Sequence, residues 1–405
     1  MAASKTIQFS GKGQPGNLSD PKNWAGGVTP GIDDSALITV NVGGPVAGTF
    51  SVNNFMLLGT ETITFTGTID TAGVGACQGL MICDGATAIF APGALLNDGN
   101  ALIVGNDAAG ALVATHSILN SADANIGKQD DGVGTVTIDD GVWTNSGHAF
   151  IGDAGSGTLD VTDNGSVSFG GGVQMAAAVG SHGKMTIAHG GSVTVTGALR
   201  IGGASLGAAG TGLVSVGANS NLTVDQGLVV GTGSELDIAG GTVTGGAAAD
   251  RFATETGGVI SGHGELTTRV GATISDDGII RASGGSLQVT GNVNGEGSIQ
   301  IAANSTAELT GGSLTLSGIA FIGPDATLSL AHGSKVTAAI SGFAIGDIIA
   351  MANVDAVSFK ASTGILTLSD HGTKVESLHL TGNFAGDTFG VSQTAAGALI
   401  TLRHG

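Results

Sequence analysis

Tyrosine is missing altogether from the 405 residues, and only two tryptophans and two cysteines are present. Aromatic platforms for sugars are therefore scarce, and two thiols are too few for a thiolate metal site. Lys and Arg number 13 against 32 Asp and Glu, and neither falls between Ala25 and Gly127. With a formal net charge of −19, the chain lacks the cationic face that replaces phosphate counterions. Nucleic acid is thereby excluded as a partner, and an anionic membrane surface is disfavoured. No apolar run approaches the length of a transmembrane helix, so the chain is not membrane-spanning. The opening MAASKTIQFSGKG has no apolar core of a secretory signal peptide. Either the signal has been removed, or the protein stays inside, or it leaves by a route read at its C-terminus.

Glycine, by contrast, supplies 74 residues, while 41% of the chain is hydrophobic and the mean hydropathy is +0.34. Disorder requires low hydrophobicity and dense charge, and collagen requires glycine at every third position. The chain matches neither and folds. A small apolar residue followed by glycine recurs at Val104-Gly105, Ile126-Gly127, Ile151-Gly152, Val179-Gly180, Ile201-Gly202 and Val230-Gly231. The intervals are 22, 25, 28, 22 and 29 residues, a period that means a solenoid. Between these pairs run a strand of the type GTLDV, a turn of the type TDNGS and a second strand.

Period-2 alternation points Val136 and Ile138, Leu159 and Val161, Met185 and Ile187, Val214 and Val216, and Leu236 and Ile238 inward. The second strands add Val167 and Phe169, Val193 and Val195, and Leu222 and Val224. Helical spacing is nowhere sustained. Three short strands per coil with glycine at the corners describe an all-β, parallel β-helix, taken as right-handed, of 22–29 residues per coil. At ~25 residues per coil and ~4.8 Å per layer it has roughly 14–16 coils and is about 70 Å long.

Five segments follow. Residues 1–45 read as an N-terminal cap in which Trp24 shields the first coil. Residues 46–125 hold irregular coils, 126–246 the regular array, 247–338 looser coils, and 339–405 a β-rich C-terminal cap of secretion type. Cys77 and Cys83 are read as two small buried hydrophobes, with a disulfide as the alternative if a turn brings them together. Trp143 falls out of phase if Val142 points inward. It is either a core or corner filler, or an exposed contact for a ligand or partner.

Signals of chemistry are sparse. Lys128, Lys184, Arg200, Arg251, Arg269 and Arg281 are scattered singly, where a uronate lyase needs a base and a cation together. The pairs Asp33-Asp34, Asp130-Asp131, Asp139-Asp140 and Asp276-Asp277 lie at apparent turns, where Asp bonds its own backbone. His148, His182, His189 and His263 show no metal-ligand spacing. Turns such as NDGN (97–100) leave room for Ca²⁺, but no motif recurs to support it, and no other cofactor is implied. Outward Ser168, Thr194 and Thr223 form an imperfect ladder, short of the regular threonine face that ice binding demands.

The unit IGDAGSGTLDVTDNGSVSFGG (151–171), echoed by VGSHGKMTIAHGGSVTVTG (179–197), resembles the repeat of autotransporter passenger domains and related bacterial surface proteins. LSDPKNWAGGVTPGIDDSALI (18–38) is similar to the lead-in that often precedes such repeats. Residues 257–309 and the tail from ISGFAIGDIIAM look like parts of large secreted alphaproteobacterial proteins, whose tail is commonly assigned to type I secretion without a cleaved signal. The resemblance implies a secreted β-helix and carries no catalytic residues with it. No membrane-barrel region follows the repeats, and no G-G-x-G-x-D array is present. The expected function is a secreted, non-catalytic β-solenoid serving as a bacterial surface, adhesive or extracellular-matrix protein. Unblocked coil ends would make it an oligomer or an end-to-end filament. The alternative is a carbohydrate-active or carbohydrate-binding β-helix, with cell-surface polysaccharide as the partner.

Overall fold

The computed structural model describes residues 5–71, 79–203, 210–246, 251–269, 272–394 and 397–404. The chain is all-β, and its parallel strands stack into a β-solenoid of about 13 turns. That is fewer than the 14–16 expected, because the chain after Met351 folds into antiparallel strands instead of further coils. Two compact units divide it, Met1–Asp225 and Gln226–Gly405.

In the first unit the coils build three faces, mostly with one strand each, while Leu95–Val104 and Ile118–Ile126 each cross the second and third faces as one strand. The first face runs through Val133–Asp139, Ser156–Thr162, His182–Ile187 and Thr211–Gly217. Their alternation places Val136, Leu159, Met185 and Val214 in one buried column and Ile138, Val161, Ile187 and Val216 in another. The second face stacks Val142–Asn145, Ser166–Phe169, Ser192–Val195 and Asn221–Val224. Each fully buried Val, Leu or Ile contributes roughly 1.5–3 kcal/mol, and a one-residue slip would move the whole column into water.

Trp143 belongs to such a column. It pairs with Leu119 below and Val167 above, and it is 0% exposed while Val142 is 45% exposed. The reading of Trp143 as an exposed contact is therefore corrected. Its ring packs edge-on against Phe169 at 5.4 Å, and its Nε1 donates to Ser121 Oγ at 3.0 Å. Burying an indole is tolerable here because its one donor is satisfied.

The third face carries three-residue strands, Ala149–Ile151, Val173–Met175 and Leu199–Ile201. Ile151 stacks under Met175 and Met175 under Ile201, so the corner after this strand is Ala176, not Gly180. Val179 lies outside the core, 72% exposed, and Val179-Gly180 is a false member of the series. With Met175 in its place the 28- and 22-residue intervals become 24 and 26. The signature skipped this coil because alanine stands at a left-handed corner, φ +48°, where neighbouring coils use Gly152 and Gly202.

Phe9, Trp24 and Phe50 close the N-terminal end of this unit. Trp24 is buried, lies parallel to Phe50 at 5.6 Å and meets Phe9 edge-on at 5.3 Å. The ring contacts continue through Phe55, Phe65 and Phe90. Asp20 and Asn23 fasten the preceding loop: Asp20 accepts from the Gln14 and Lys22 N–H groups, and Asn23 accepts from Gly13 N–H while donating to the Gln14 and Asn17 carbonyls.

The second unit is built on shorter coils. Ile260, Ile280, Ile299, Ile319 and Ile340 form one inward column at spacings of 20, 19, 20 and 21 residues. The 22–29 residue coil therefore does not extend here. Val259–Thr268 and Ile279–Thr290 each run across two faces as one strand, bending at a register shift. Gly262 and Gly264 take φ +110° and +122° at that bend, which removes the need for a corner loop.

The last parallel strands, Ala339–Ser341 and Ile348–Met351, are both covered. Thr373–Thr381 pairs with the first, and Gly397–His404 pairs antiparallel with the second. Phe359, Phe384 and Phe389 pack together beyond them at 4.7–5.6 Å. These strands form a mainly antiparallel layer over the coil end, with Leu366, Leu368, Leu378, Leu380 and Ile400 buried in it.

The corners supply a direct test. A Cβ added to Gly152 would lie 2.0 Å from the His182 carbonyl oxygen, at a backbone φ of +72°. Gly152→Ala is expected to cost at least about 2 kcal/mol in denaturant melts, whereas Ala176→Gly, relieving the same φ, is expected to be neutral or stabilising by up to about 1 kcal/mol. Equal losses in both variants would contradict the corner assignment.

Candidate functional site

Outward side chains form columns as regular as the inward ones. On the second face of the first unit, Asn97, Asn120, Thr144, Ser168, Thr194 and Thr223 stack in register. At its lower end Ser51 and Asn97 both donate to Asp70, and Asn120 donates to Asn97. The third face differs: its outward column runs Leu37, Met56, Met81, Ile103, Asn125 and Phe150. Each lies immediately before the residue that ends its inward column. The sequence pattern marks only the inward residue and the glycine after it, so the outward run is not picked out by it.

A groove of about 520 Å³ opens over this column, within the size of small-ligand sites. Ile103 forms its floor and the half-exposed Phe150 one wall, with Asp123, Asn125, Lys128 and His148 around them. The polar groups are held from below. Asp123 Oδ1 accepts from the His148 backbone N–H at 2.8 Å, and Gly172 N–H donates to His148 Nδ1 at 3.2 Å. An accepting Nδ1 places the neutral ring's proton on Nε2, which becomes its remaining donor. Asn125 Nδ2 donates to Asp153 Oδ2 at 3.0 Å, whereas Asn125 Oδ1 has no partner although the residue is only 9% exposed.

Of the scattered cations and histidines, the groove brings together Lys128 and His148. Arg200 donates to the Gly203 carbonyl, Arg251 pairs with Glu255 at 3.2 Å, and Arg281 donates to Gln300. Lys184 lies on the outward side of the first face, beside Thr158 and Leu213. His182 and His189 bond Thr211 and Thr162 on neighbouring coils. His263 lies on an outward half-buried position beside Gly285.

Asp33-Asp34, Asp130-Asp131 and Asp140 lie at turns or bends, in line with the turn reading. Asp34 accepts from Gly31 N–H, Asp130 and Asp131 occupy an exposed turn, and Asp140 sits at φ +47° facing His116 at 2.8 Å. Asp98 of NDGN is buried and accepts from Thr71 Oγ1 and from the Leu80 and Asn100 N–H groups. Its oxygens are occupied by donors, so it serves the fold and offers no calcium ligand. Burial raises its carboxyl above the usual range against those three bonds.

Two donor clusters were not foreseen. Cys83, Asp84 and Asp107 approach one another, with Cys83 Sγ 3.0 Å from Asp107 Oδ1, and that bond lowers the Asp107 carboxyl. Asp355, Asp370 and His371 form the other, on exposed and half-exposed positions. Cys83 is a free, buried thiol, while its candidate partner Cys77 lies outside the described residues.

Asp276 departs from the turn reading. It is 0% exposed, stacked on the buried Thr254, and its Oδ1 accepts only from Gly278 N–H while Oδ2 has no partner. Desolvation raises its carboxyl to about 7, opposed by the Gly278 bond and reinforced by the charge of Asp277.

No protein-family model matches the chain, and no curated protein matches it significantly.

Because the folded pKa of Asp276 lies above the ordinary 3.8, its proton is held more tightly in the fold. Its stabilisation is full below 3.8 and falls as pH rises to about 7. Asp276→Asn is expected to be nearly neutral at about pH 4 and more stable than the parent by on the order of 3 kcal/mol at about pH 8. Urea melts at the two pH values check this; a pH-independent difference would place the carboxylate in contact with water.

Proposed function

We propose that the chain is a secreted, non-catalytic β-solenoid of a bacterial surface or extracellular matrix, and that it makes its contacts along its sides. Secretion and bacterial origin rest on the resemblance of the repeats and tail. The observation that carries the lateral reading is the third face of the first unit, where an unbroken outward column leads into a groove holding an unsatisfied, nearly buried amide. A nearly buried acceptor without a donor, set among buried and half-buried apolar side chains, is what a lateral contact would complete.

The ends support assembly less well than the sides support binding. Trp24 and the rings beside it cover the first coil, and an antiparallel sheet pairs with the last parallel strands. Coil-on-coil growth requires free strands at those positions; the last parallel strands are paired, while the first strand, Thr6–Gln8, pairs with Ser35–Ile38 on one side. The carbohydrate-active alternative is favoured by one specific feature, the meeting of Lys128, His148 and Asp123 in the groove. A base and a cation in reach of one substrate are what uronate lyase chemistry requires, and His148 and Lys128 are of those types.

Negative-stain electron microscopy of the full chain, with and without millimolar calcium, is expected to show discrete particles. Filaments of uniform width would overturn the lateral reading and return the function to the ends. Incubation with alginate and polygalacturonate is expected to leave the ultraviolet absorbance of unsaturated uronate flat; a steady rise abolished by Lys128→Met would make the protein a lyase.

A further inference from the structure

The geometry points to a neutral glycan as the ligand of the third-face groove, bound with one pyranose ring against Phe150. This deepens the lateral reading above and rests on it. Three properties of the groove select the ligand.

The first is its mixed lining. Phe150 is half-buried on the groove and stacks on Asn125, with Ile103 one layer further down, and an aromatic ring so placed offers an apolar face to the C–H groups of a sugar ring. Around it stand an acceptor, Asp123 Oδ2; a donor, Lys128 Nζ; and the Nε2–H of His148. Hydroxyl groups are donor and acceptor at once, so a ring bearing several of them can meet all three. A purely apolar ligand would strip water from them without return.

The second is the amide of Asn125. Its Nδ2 is engaged by Asp153, its Oδ1 is not engaged by anything, and it lies at the base of the groove between Ile103 and Phe150 in the column. A buried acceptor without a donor costs about 1–3 kcal/mol. A hydroxyl seated at the groove base is the kind of donor this acceptor lacks.

The third is what the site withholds. The strands beneath are paired on both sides, Asn125 with Ile103 and Phe150, and Phe150 with Gln174. No strand edge is open there for an extended peptide to join, which removes the usual source of peptide affinity. Charge removes the acidic glycans. Lys128 is the only Lys or Arg between Asn23 and Gly183, a stretch with 15 Asp and Glu residues. A polyanion approaching that field is repelled before it reaches the single ammonium.

The test is affinity electrophoresis of the full chain through gels containing dextran, mannan, galactan or mixed-linkage β-glucan, with alginate as the acidic control. Retardation by at least one neutral polysaccharide is expected, with alginate inert. Phe150→Ala is expected to raise the dissociation constant at least about tenfold, and Phe150→Tyr to keep binding, both with unchanged thermal melts. Failure of all four neutral polymers to retard the chain would overturn the inference, as would retardation that Phe150→Ala leaves intact. Retardation by alginate alone, lost in Lys128→Met, would overturn the neutral assignment. If no glycan binds while the particles stay discrete and no uronate is cleaved, the ligand class falls and the lateral reading stands. Filaments would remove the reading itself.

Discussion

The parallel ladder is the constraint on which the rest of the molecule depends. Within the stack, between its first and last coils, a strand is paired to the coil below and the coil above, so its phase is fixed twice, and the apolar column inside allows no slip. Fixing the inward set also fixes the outward set. The stack of Asn, Ser and Thr on the second face and the run from Leu37 to Phe150 on the third follow from the same register that buries Val136, Leu159 and Met185. A binding surface on such a frame is the reverse side of its core, and a side chain placed there has a neighbour at one layer spacing in both directions.

How much of this is legible in the sequence depends on strand length. Seven residues of alternation, as in Val133–Asp139 and Ser156–Thr162, leave no doubt about which side is inward. Trp143 stands in a four-residue strand, Val142–Asn145, where alternation alone permits two phases. Aligning its corner glycine, Gly141, with Gly165 of the next coil would have chosen between them, since Trp143 then falls on Val167. The three-residue strands of the third face are harder still, and glycine was made to mark them. Ala176 defeats that marker because a small Cβ is tolerated at its left-handed φ. The groove was not legible because its parts come from strands and corners of different coils. Asp276 was missed for another reason: an Asp-Asp-Gly triplet reads as a turn, and nothing local says that the first carboxyl points inward.

Tertiary context also explains why the two units differ. In the first, coils from Val133 onward turn through corners, most of them at left-handed glycines, and their lengths vary with the loop, although Leu95–Val104 and Ile118–Ile126 also cross two faces as single strands. In the second, one strand can bend through a glycine pair from face to face, and the coil shortens to about 20 residues. Aromatic residues mark the boundaries of this architecture. They gather at Phe9, Trp24 and Phe50 at one end of the first unit, and at Phe359, Phe384 and Phe389 in the antiparallel cap of the second. Large rings suit such places, where the stacked columns end and an apolar layer must be closed by few residues.

The in-register columns also bear on how such a chain changes in length over generations. Between Val133 and Val224 successive coils place apolar side chains at most of the inward stations of the first two faces, so unequal recombination within the array can add or remove a whole coil without breaking an inward column. Asp98 marks where this freedom stops. Its carboxylate takes Thr71 and the Leu80 N–H from the preceding coil, and a Cβ on Gly79 would collide with it at 1.7 Å. Residues 71, 79, 80 and 98 are therefore inherited as a block, and the lower coils of the first unit form a fixed foundation beneath an array of adjustable height.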